Sequence, residues 1–347
     1  MKTMNILTVL CAIALLLPSE LFGGNPSKRG TAGAVELLIP VGARGMAMSG
    51  AVLSDASGVD ALYWNPAGLS KGVGTSGLQA MFSHTGYIAD INIEYLALGL
   101  GLGEIGSIGF SLKSFSFGNI LQTSEDFPEG TGATFSPNYL TLGLTYSKEL
   151  TDRISIGFTG KLVNETIVRT SASGFAFDAG VIYNVGANSM LKGLKFGVTL
   201  KNIGPNMQFD GGDLERMVVP PESDPQSQAI PLKVISQSFE MPSTFDMGIS
   251  YELIGGPNRI VFAAGFQNSN FGDDIYRLGA EYSFSDMIFL RVGSAPPDGS
   301  LDNQLQRMTF GGGIHIPFGN SQIAVDYAYT QVQIFDPYHT ISFHFGY

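Results

Sequence analysis

Residues that could take part in catalysis, metal binding or nucleotide binding are few in this chain, and their spacing predicts none of these activities. The segment Gly101-Leu-Gly-Glu-Ile-Gly106 matches the G-x-G-x-x-G pattern of dinucleotide-binding sites, but such sites require a helix directly after the glycines. Residues 107–113 alternate between polar and apolar side chains instead, so we interpret the glycines as part of a hairpin turn. The four histidines lack the paired spacing of metal ligands, and we expect no metal ion and no cofactor.

The only cysteine lies in a segment that we predict to be removed on export. Residues 1–23 carry a charge at Lys2, an apolar stretch too short to span a membrane and a small-residue end, which are the features of a signal peptide. Without Cys11 the exported chain has no thiol for a disulfide, a zinc–thiolate site or a nucleophile. Spacing along the chain places no other nucleophile beside a base, and we expect a protein that is not an enzyme.

Charged residues instead recur on one face of segments that alternate with a period of two, as strands do. In residues 245–252 and 323–330, apolar side chains occupy one face and small, polar or charged side chains the other. A basic side chain facing the lipid midplane would cost about 2–4 kcal/mol, so we expect the charged face to line a lumen. We interpret its charges as a structural network that holds a plug, with an ion pathway as the alternative: Lys161, Asp178, Lys195, Lys201, Asp246, Arg277, Glu281, Arg291 and Asp326.

The elements that must position these side chains are the strands of an outer-membrane β-barrel. Charged residues are 14% of the chain, against roughly 25% in soluble domains. No apolar run after the signal peptide reaches the roughly 20 residues of a spanning helix, and only helices and closed barrels satisfy their backbone groups in lipid. We predict an all-β fold in which residues 73–347 form a transmembrane barrel of about 14 antiparallel strands.

Connection lengths distinguish this barrel from a soluble β-sandwich, whose strands also alternate. Short connections such as residues 149–152 and 285–286 alternate with long ones, of which residues 204–242 are the longest. Bacterial barrels place short turns in the periplasm and long loops outside the cell. An even number of strands then leaves both chain termini in the periplasm. We predict the outer membrane of a Gram-negative-type bacterium as the location, with outer-membrane lipids as partners.

The longest loop, residues 204–242, is a candidate for contact with another protein. A loop of this length is either functional or disordered, and the sequence leaves both alternatives open. Its apolar stretches flank the polar residues 222–228. We predict that the apolar residues bind a partner: Met217, Val218, Val219, Pro220, Pro221, Ile230 and Leu232.

Residues 24–72 are the only long region after the signal peptide that does not alternate like a strand. They contain the only tryptophan, Trp64, which we interpret as a packing anchor, with ligand contact as the alternative. Asn65 before Pro66 predicts an N-cap followed by a first-turn proline, and Gly68 predicts a turn or a close backbone approach. We predict that the region forms a hatch at the base of the barrel, with these residues in its contacts: Arg44, Met46, Tyr63, Trp64, Asn65, Pro66 and Gly68.

The hatch residues also carry a family likeness. Leu37–Met46, Ser54–Ala56 and Ala61–Gly68 resemble the N-terminal region of the PorV/PorQ family, which is itself similar to FadL-type transporters that share an Asn-Pro-Ala-Gly segment in their hatch. The resemblance implies a fourteen-stranded outer-membrane barrel with an N-terminal hatch. It also implies a role in type IX secretion, in which PorV receives the C-terminal signal domain of a cargo protein and carries it to the surface-attachment machinery. PorQ is tied to that machinery itself.

Two functions from different classes fit this sequence. The first is a noncatalytic component of type IX secretion that binds or shuttles cargo, with cargo or the secretion machinery as its protein partners. The alternative is a FadL-like transporter of hydrophobic small molecules, with a ligand in the lumen. The charged lumen faces and the likeness at Leu37–Met46 favour the first. A net charge of −11 argues against nucleic acid as a partner, because phosphate binding needs a basic patch.

Overall fold

The computed structural model describes residues 28–75, 77–186, 191–219, 228–295, 306–332 and 335–347, without the side chains of residues 306 and 307. The predicted signal peptide, residues 1–23, and the predicted partner-binding residues Pro220 and Pro221 lie outside these ranges. Within them, the chain folds as a barrel of antiparallel strands around an N-terminal hatch.

Fourteen long antiparallel strands in the described part of the chain close into one barrel. Consecutive strands pair with each other, and β1 also pairs with β14, so the barrel leaves no free edge. This confirms the predicted all-β barrel fold and its number of strands. In chain order the strands are β1 Leu78–Gly86, β2 Asn92–Gly101, β3 Ser107–Ser116, β4 Asn138–Glu149, β5 Ile154–Ile167, β6 Thr170–Asn184, β7 Leu194–Ile203, β8 Thr244–Gly255, β9 Asn258–Ser269, β10 Ile275–Phe284, β11 Ile288–Ser294, β12 Gln306–Phe318, β13 Ser321–Val332 and β14 Tyr338–Gly346.

Exposure along the strands follows the period of two. In β13 the side chains of Ala324, Asp326 and Ala328 are buried inside the barrel, whereas Ile323 and Tyr327 are exposed on the outer wall. An apolar outer wall suits lipid, and an inner wall of small and polar side chains leaves room for a filled lumen. The exposure pattern is therefore the one that the alternating sequence predicts.

The two ends of the barrel differ in their connections. At one end, here called the short-turn end, Gly103–Ile105 forms a turn between β2 and β3, which confirms the hairpin-turn interpretation of the glycine pattern. At the opposite long-loop end, two loops contain short strand pairs of their own. These pairs are Ile120–Leu121 with Thr134–Phe135, and Glu215–Val218 with Ile230–Lys233.

The hatch occupies the lumen as a series of short helices. Its 3-10 helices are Val35–Leu38, Gly58–Asp60 and Pro66–Gly68, and its α-helices are Ala43–Ala47, Ala61–Trp64 and Leu69–Val73. Because the last helix extends to Val73, β1 begins at Leu78 and not near residue 73 as predicted. Leu62 and Leu69 pack against Ile93 and Phe115 of the inner wall. The hydrophobic core is therefore formed by contacts between hatch and wall. Among the described residues, no helix is long and apolar enough to cross a membrane.

Candidate functional site

The hatch runs the full length of the lumen, which differs from the predicted plug at the base. Its first described residues lie at the long-loop end, where Lys28 pairs with Glu240 at 3.8 Å and Arg29 pairs with Asp273. Its last helix, Leu69–Val73, leads directly into β1 at the short-turn end. The chain therefore passes down through the barrel before the first strand begins.

Asn65 caps the turn Pro66–Gly68, as the sequence predicts. Its Oδ1 accepts a hydrogen bond from the N–H of Ala67 at 3.2 Å, and Pro66 occupies the first turn. Its Nδ2 donates to the carbonyl oxygens of Leu53 at 3.0 Å and of Val181 in β6 at 3.3 Å. One buried amide thus holds together the turn, an earlier part of the hatch and the barrel wall.

Glycines allow the backbone of the hatch to touch the wall. A Cβ at Gly157 of β5 would lie 2.2 Å from the carbonyl carbon of Pro66, and a Cβ at Gly180 of β6 would lie 2.1 Å from Oδ1 of Asn65. Within the hatch, a Cβ at Gly68 would lie 1.9 Å from a backbone carbonyl oxygen, so Gly68 permits the close approach that was predicted. The Asn-Pro-Ala-Gly segment fits against the wall because the wall carries no side chain at Gly157 and Gly180.

Tyr63 and Trp64 form the centre of the hatch. Their rings meet edge to face with centres 5.0 Å apart, and the buried indole packs against Gly45, where a Cβ would collide with it. The Nζ atoms of Lys113 and Lys201 lie 5.0 Å and 4.9 Å from the centre of the Tyr63 ring, within the range of cation–π attraction. This packing favours the interpretation of Trp64 as an anchor between hatch and wall.

A network of buried ion pairs joins the hatch to the wall at the short-turn end. Arg44 contacts Asp55 within the hatch at 2.7 Å and Glu281 of β10 at 3.1 Å. Glu281 also pairs with Arg259 at 3.3 Å and with Arg291 at 2.6 Å. One carboxylate therefore balances three guanidinium groups, of which only that of Arg44 belongs to the hatch.

Asp55 makes a second link between hatch and wall, because it pairs with Lys195 of β7 as well as with Arg44. Burial acts to raise the pKa of the Asp55 carboxyl, but the charges of Arg44 and Lys195 outweigh burial and hold this pKa below its usual value. The sequence prediction did not include Asp55 among the site residues, although it lies in the family-like segment Ser54–Ala56. Its position beside two cations depends on the fold.

The nine charged side chains predicted to line the lumen all lie on the inner wall. Eight of these side chains take part in ion pairs, which favours a structural network over an ion pathway. The pairs include Lys161–Asp178 at 2.5 Å, Lys201–Asp246 at 3.6 Å, Lys195–Glu252 at 3.2 Å and Arg291–Asp326. Arg277 is the exception among the described residues, since no carboxylate oxygen lies within 4.0 Å of its guanidinium group.

A β-bulge in β7 turns two successive side chains into the lumen. The register between β6 and β7 shifts beside Asn202, which has a φ of 59°, and both Lys201 and Asn202 are buried. The N–H of Asn202 donates to Asp178 at 2.8 Å, and Lys161 donates to the Oδ1 of Asn202 at 2.8 Å. Strict alternation would place Asn202 on the outer wall, so the sequence analysis missed it.

Glu36 is a buried carboxyl group that the sequence analysis also missed. Its side chain is 2% exposed and lies in the first helix of the hatch, beside Glu165 of β5. Burial raises the pKa of Glu36 to about 8, and the charge of Glu165 adds to this increase while that of Lys113 opposes it. Lys113 donates instead to the backbone carbonyl of Glu36 at 2.7 Å. The hatch is therefore attached to the wall here through the backbone of Glu36, while burial favours the protonated form of its carboxyl group.

We expect the stability of the hatch to fall between about pH 4.5 and pH 8 because of Glu36. The carboxyl group ionises near 4.5 when unfolded but near 8 when folded, so the folded state binds more protons in this range. The free energy of unfolding then falls as pH rises through this range. Glu36→Gln removes this pH dependence. The free energy of unfolding of the variant, compared with that of the unmodified protein, therefore increases with pH. Urea unfolding followed by Trp64 emission at several pH values measures the difference.

Glu129→Gln is the matched control for this prediction. Glu129 is exposed in a loop at the long-loop end, so its replacement keeps the pH dependence of the unmodified protein. If the free energy of unfolding changes with pH at the same slope in Glu36→Gln and in the unmodified protein, the role given to Glu36 is contradicted.

Among the described residues, an outer and an inner cavity lie between hatch and wall. The outer cavity, at the long-loop end, has a volume of about 490 Å³ and is lined by residues that include Tyr63, Trp64, Lys201 and Arg277. The inner cavity, at the short-turn end, has a volume of about 430 Å³ and is lined mainly by the ion-pair network. Trp64 borders the outer cavity alone, so this is where the predicted ligand contact of Trp64 would occur.

The base of the long loop, residues 204–242, rests on the hatch. Met207 pairs with Phe239 through a β-bridge, and these residues pack with Ala34 and Leu37 of the hatch in one apolar cluster. The N–H of Gly33 also donates to the carbonyl of Glu240 at 3.1 Å. The first part of the hatch and the base of the loop are therefore one packed unit.

The tip of the long loop presents an apolar hairpin to solvent. The strands Glu215–Val218 and Ile230–Lys233 pair with each other, and Met217 and Leu232 remain 67% and 48% exposed. Of the other predicted partner-binding residues, Val219 and Ile230 are exposed and Val218 is partly buried. Arg169, in the connection between β5 and β6, pairs with Asp213 of the loop at 2.7 Å. The apolar side chains are thus held on a folded support.

Comparison with known families identifies this arrangement. Residues 25–221, more than half of the chain, match the family described as type IX secretion system protein PorV. The chain belongs to the PorV family. The match includes the hatch and the first seven strands, and it confirms the resemblance inferred from Leu37–Met46 and Ala61–Gly68. Comparison with curated proteins gives no significant match.

Solved structures of a FadL homologue and of a toluene transporter share the fold of this PorV-family chain. A FadL homologue from Pseudomonas aeruginosa is 10% identical, with 89% of this chain and 98% of that chain covered and a TM-score of 0.54. The toluene transporter TodX from Pseudomonas putida is 13% identical, with 84% and 94% covered and a TM-score of 0.53. At these identities the likeness establishes the fold alone.

Proposed function

We propose that this outer-membrane barrel is a noncatalytic component of type IX secretion that binds or shuttles secreted cargo carrying a C-terminal signal domain. The observation that carries the proposal is the PorV family match over residues 25–221. The filled lumen also supports it, because a hatch tied to the wall by buried ion pairs and close backbone contacts suits a rigid platform better than an open pore. The partner then binds outside the lumen.

The hairpin at the tip of the long loop is the surface that we propose for this contact. Met217 and Leu232 place apolar side chains on a short strand pair at the long-loop end, which faces the cell exterior in bacterial barrels. Exposed apolar patches with polar surroundings are typical of protein-binding sites. A strand pair can also add its backbone hydrogen bonds to those of an extended segment in a partner.

Deletion of the gene tests the proposed role in secretion. We expect proteins with the C-terminal signal domain to accumulate in the periplasm of the deletion strain and to be lost from the cell surface. Fractionation followed by quantitative mass spectrometry measures both pools. Normal surface delivery in the deletion strain would overturn the proposal.

Met217→Ser combined with Leu232→Ser tests the hairpin itself. Each buried apolar side chain contributes about 1.5 kcal/mol or more to a contact, so the double variant is expected to lower partner affinity at least tenfold. Surface delivery of cargo should fall, while the amount of barrel in the outer membrane stays unchanged. The matched control is Leu121→Ser with Phe127→Ser, which removes two exposed apolar side chains from the other long loop. Equal delivery in both double variants would exclude the hairpin as the contact surface.

The outer cavity favours a second candidate function, the transport of hydrophobic small molecules. Its volume of about 490 Å³ lies within the range of ligand pockets, and Tyr63 and Trp64 give it an aromatic surface. The deletion strain also tests this alternative, since lost uptake of a hydrophobic compound with normal surface delivery would favour transport over cargo binding.

A further inference from the structure

A hollow on the outer wall of the barrel lies apart from the cavities of the lumen. It crosses β3 to β7 and has a volume of about 560 Å³. Every second residue of β5 from Ile154 to Leu162 faces outward and carries a large apolar side chain, except Gly160. Gly160 and Ala179 form the floor of the hollow, and exposed apolar side chains form its rim: Ile108, Leu144, Tyr146, Phe158, Phe177 and Ile203.

The β-bulge in β7 makes the lining of this hollow apolar. Strict alternation would turn the polar side chain of Asn202 outward beside Phe177. The register shift instead pairs Phe177 with Ile203 and leaves Asn202 buried in the lumen. Behind the hollow, the hydroxyl oxygens of Thr145 and Thr159 lie 2.8 Å apart on the inner wall. The hollow therefore faces the bilayer and is closed towards the lumen at this point.

Two side chains of the rim are held in place by contacts of their own. The ring of Phe177 packs edge to face against that of Phe175, with centres 5.8 Å apart. The hydroxyl group of Tyr146 donates to the carbonyl oxygen of Ile105 at 2.6 Å. Because these contacts fix the shape of the hollow, a ligand loses less free energy in ordering its binding site.

The position of the hollow decides what fills it. The outward side chains of β5 remain apolar up to Leu162 and become polar at Asn164, which places Gly160 inside the lipid-facing band. The hollow is thus continuous with the wall that contacts lipid. An unfilled hollow would leave Phe158 and Phe177 without dispersion contacts on one side, and the bilayer core has no water to occupy it. A methylene chain supplies these contacts.

A cation lies at the short-turn end of the hollow. Lys148 follows Tyr146 by two residues on β4, so both side chains point outward. No carboxylate oxygen of the described residues lies within 4.0 Å of the Lys148 ammonium group. Because the short-turn end of a bacterial barrel is periplasmic, Lys148 lies where it can attract the phosphate of a lipid in the periplasmic leaflet.

We propose that the outer wall binds one phospholipid of the periplasmic leaflet, with an acyl chain in the hollow and the phosphate at Lys148. The chain lies over Gly160 and Ala179, between the rings of Phe158 and Phe177. The site faces the bilayer, so it is independent of the contact proposed for the hairpin and of transport through the lumen.

Photochemical labelling of the full-length protein tests the acyl-chain site. The protein is reconstituted in vesicles of phosphatidylethanolamine and phosphatidylglycerol that include a phosphatidylethanolamine with a diazirine in one acyl chain. Peptide mass spectrometry after illumination compares the label on β5 and β6 with that on β9 and β10. We expect about fivefold more label on β5 and β6, a ratio that a few added dispersion contacts produce. Equal labelling of the two walls would overturn the proposal and favour a membrane-protein partner as the occupant.

Two variants that fill the hollow should remove this excess of label. A Cβ at Gly160 would have no neighbour closer than a ring carbon of Phe177 at 3.9 Å, so the side chain of Gly160→Leu extends into the hollow without a backbone collision. Ala179→Leu fills the floor from β6. Ala280→Leu is the matched control, because Ala280 faces outward on β10, and it should retain the labelling of the unmodified protein. Unchanged labelling of β5 and β6 in both filling variants would exclude the hollow as the site.

A diacylglycerol with the same diazirine-bearing chain tests the phosphate contact. It lacks the phosphate, so we expect about fivefold less label on β5 and β6, the effect of one lysine near an anionic group at the membrane surface. Lys148→Gln should reduce labelling by the phospholipid to the same degree and leave labelling by the diacylglycerol unchanged. Equal labelling of the unmodified protein by the two probes would overturn the role given to Lys148.

Discussion

Glu281→Gln is expected to lower the free energy of unfolding of the hatch by about 3–5 kcal/mol, the cost of removing one partner from a buried ion pair. Glu281 is 1% exposed and contacts Arg44 of the hatch together with Arg259 and Arg291 of the wall. The amide keeps the shape of the side chain but carries no charge. Three guanidinium groups then share fewer carboxylates in a buried space.

Urea unfolding followed by Trp64 emission measures this effect, because Trp64 lies at the centre of the hatch. We expect the hatch of Glu281→Gln to unfold at a lower urea concentration, before the strands lose their circular dichroism signal. Glu104→Gln, in the exposed turn between β2 and β3, is the matched control and should behave like the unmodified protein. A loss below about 1 kcal/mol, which is typical of exposed ion pairs, would show that the network does not hold the hatch.

Gly157→Ala is expected to displace the Asn-Pro-Ala-Gly segment from the wall and to cost about 1–3 kcal/mol, as overpacked cores do. A Cβ at this position would lie 2.2 Å from the carbonyl carbon of Pro66 and 2.4 Å from the backbone nitrogen of Ala67. Both atoms belong to a backbone turn that is held by the buried side chain of Asn65. The collision therefore cannot be relieved by rotation of a side chain.

Gly160→Ala provides the matched control for this prediction. Gly160 lies on the same strand but on the outer wall, and the nearest atom to its added Cβ would be a ring carbon of Phe177 at 3.9 Å. Hydrogen exchange at the amide of Ala67 should become faster in Gly157→Ala and stay unchanged in Gly160→Ala. Equal exchange rates in the two variants would contradict the role given to the wall glycine.

The barrel could be predicted from the sequence because its rules are local. A period of two divides the side chains of a strand between two faces. The free-energy cost of placing a charge in lipid then decides which of the two faces points into the lumen. Residues such as Asp246 and Asp326 were therefore assigned to the lumen without knowledge of their partners. The cap at Asn65 was also predictable, since a capping residue acts on a backbone group two or three positions away.

The positions that the sequence analysis missed depend on groups far apart in the chain. Glu36 was missed because its unusual pKa arises from burial and from Glu165, which lies on a strand. Asn202 was missed because a bulge breaks the alternation from which its face was inferred. The position of Lys28 at the long-loop end was missed for a different reason. The number of strands fixes the end of the barrel at which β1 begins, but it does not fix the path that the preceding segment takes through the lumen.

The sequence by itself determined the barrel, its strand number, the faces of the strands and the family to which the hatch belongs. Each follows from short-range periodicity or from a continuous motif. Only the tertiary structure decided that the hatch runs from the long-loop end to the short-turn end, that Gly157 and Gly180 receive the Asn65–Gly68 segment, and that Arg277 lies at a cavity. These features depend on the register of strands around the lumen, and register brings together residues whose separation in sequence carries no local signal.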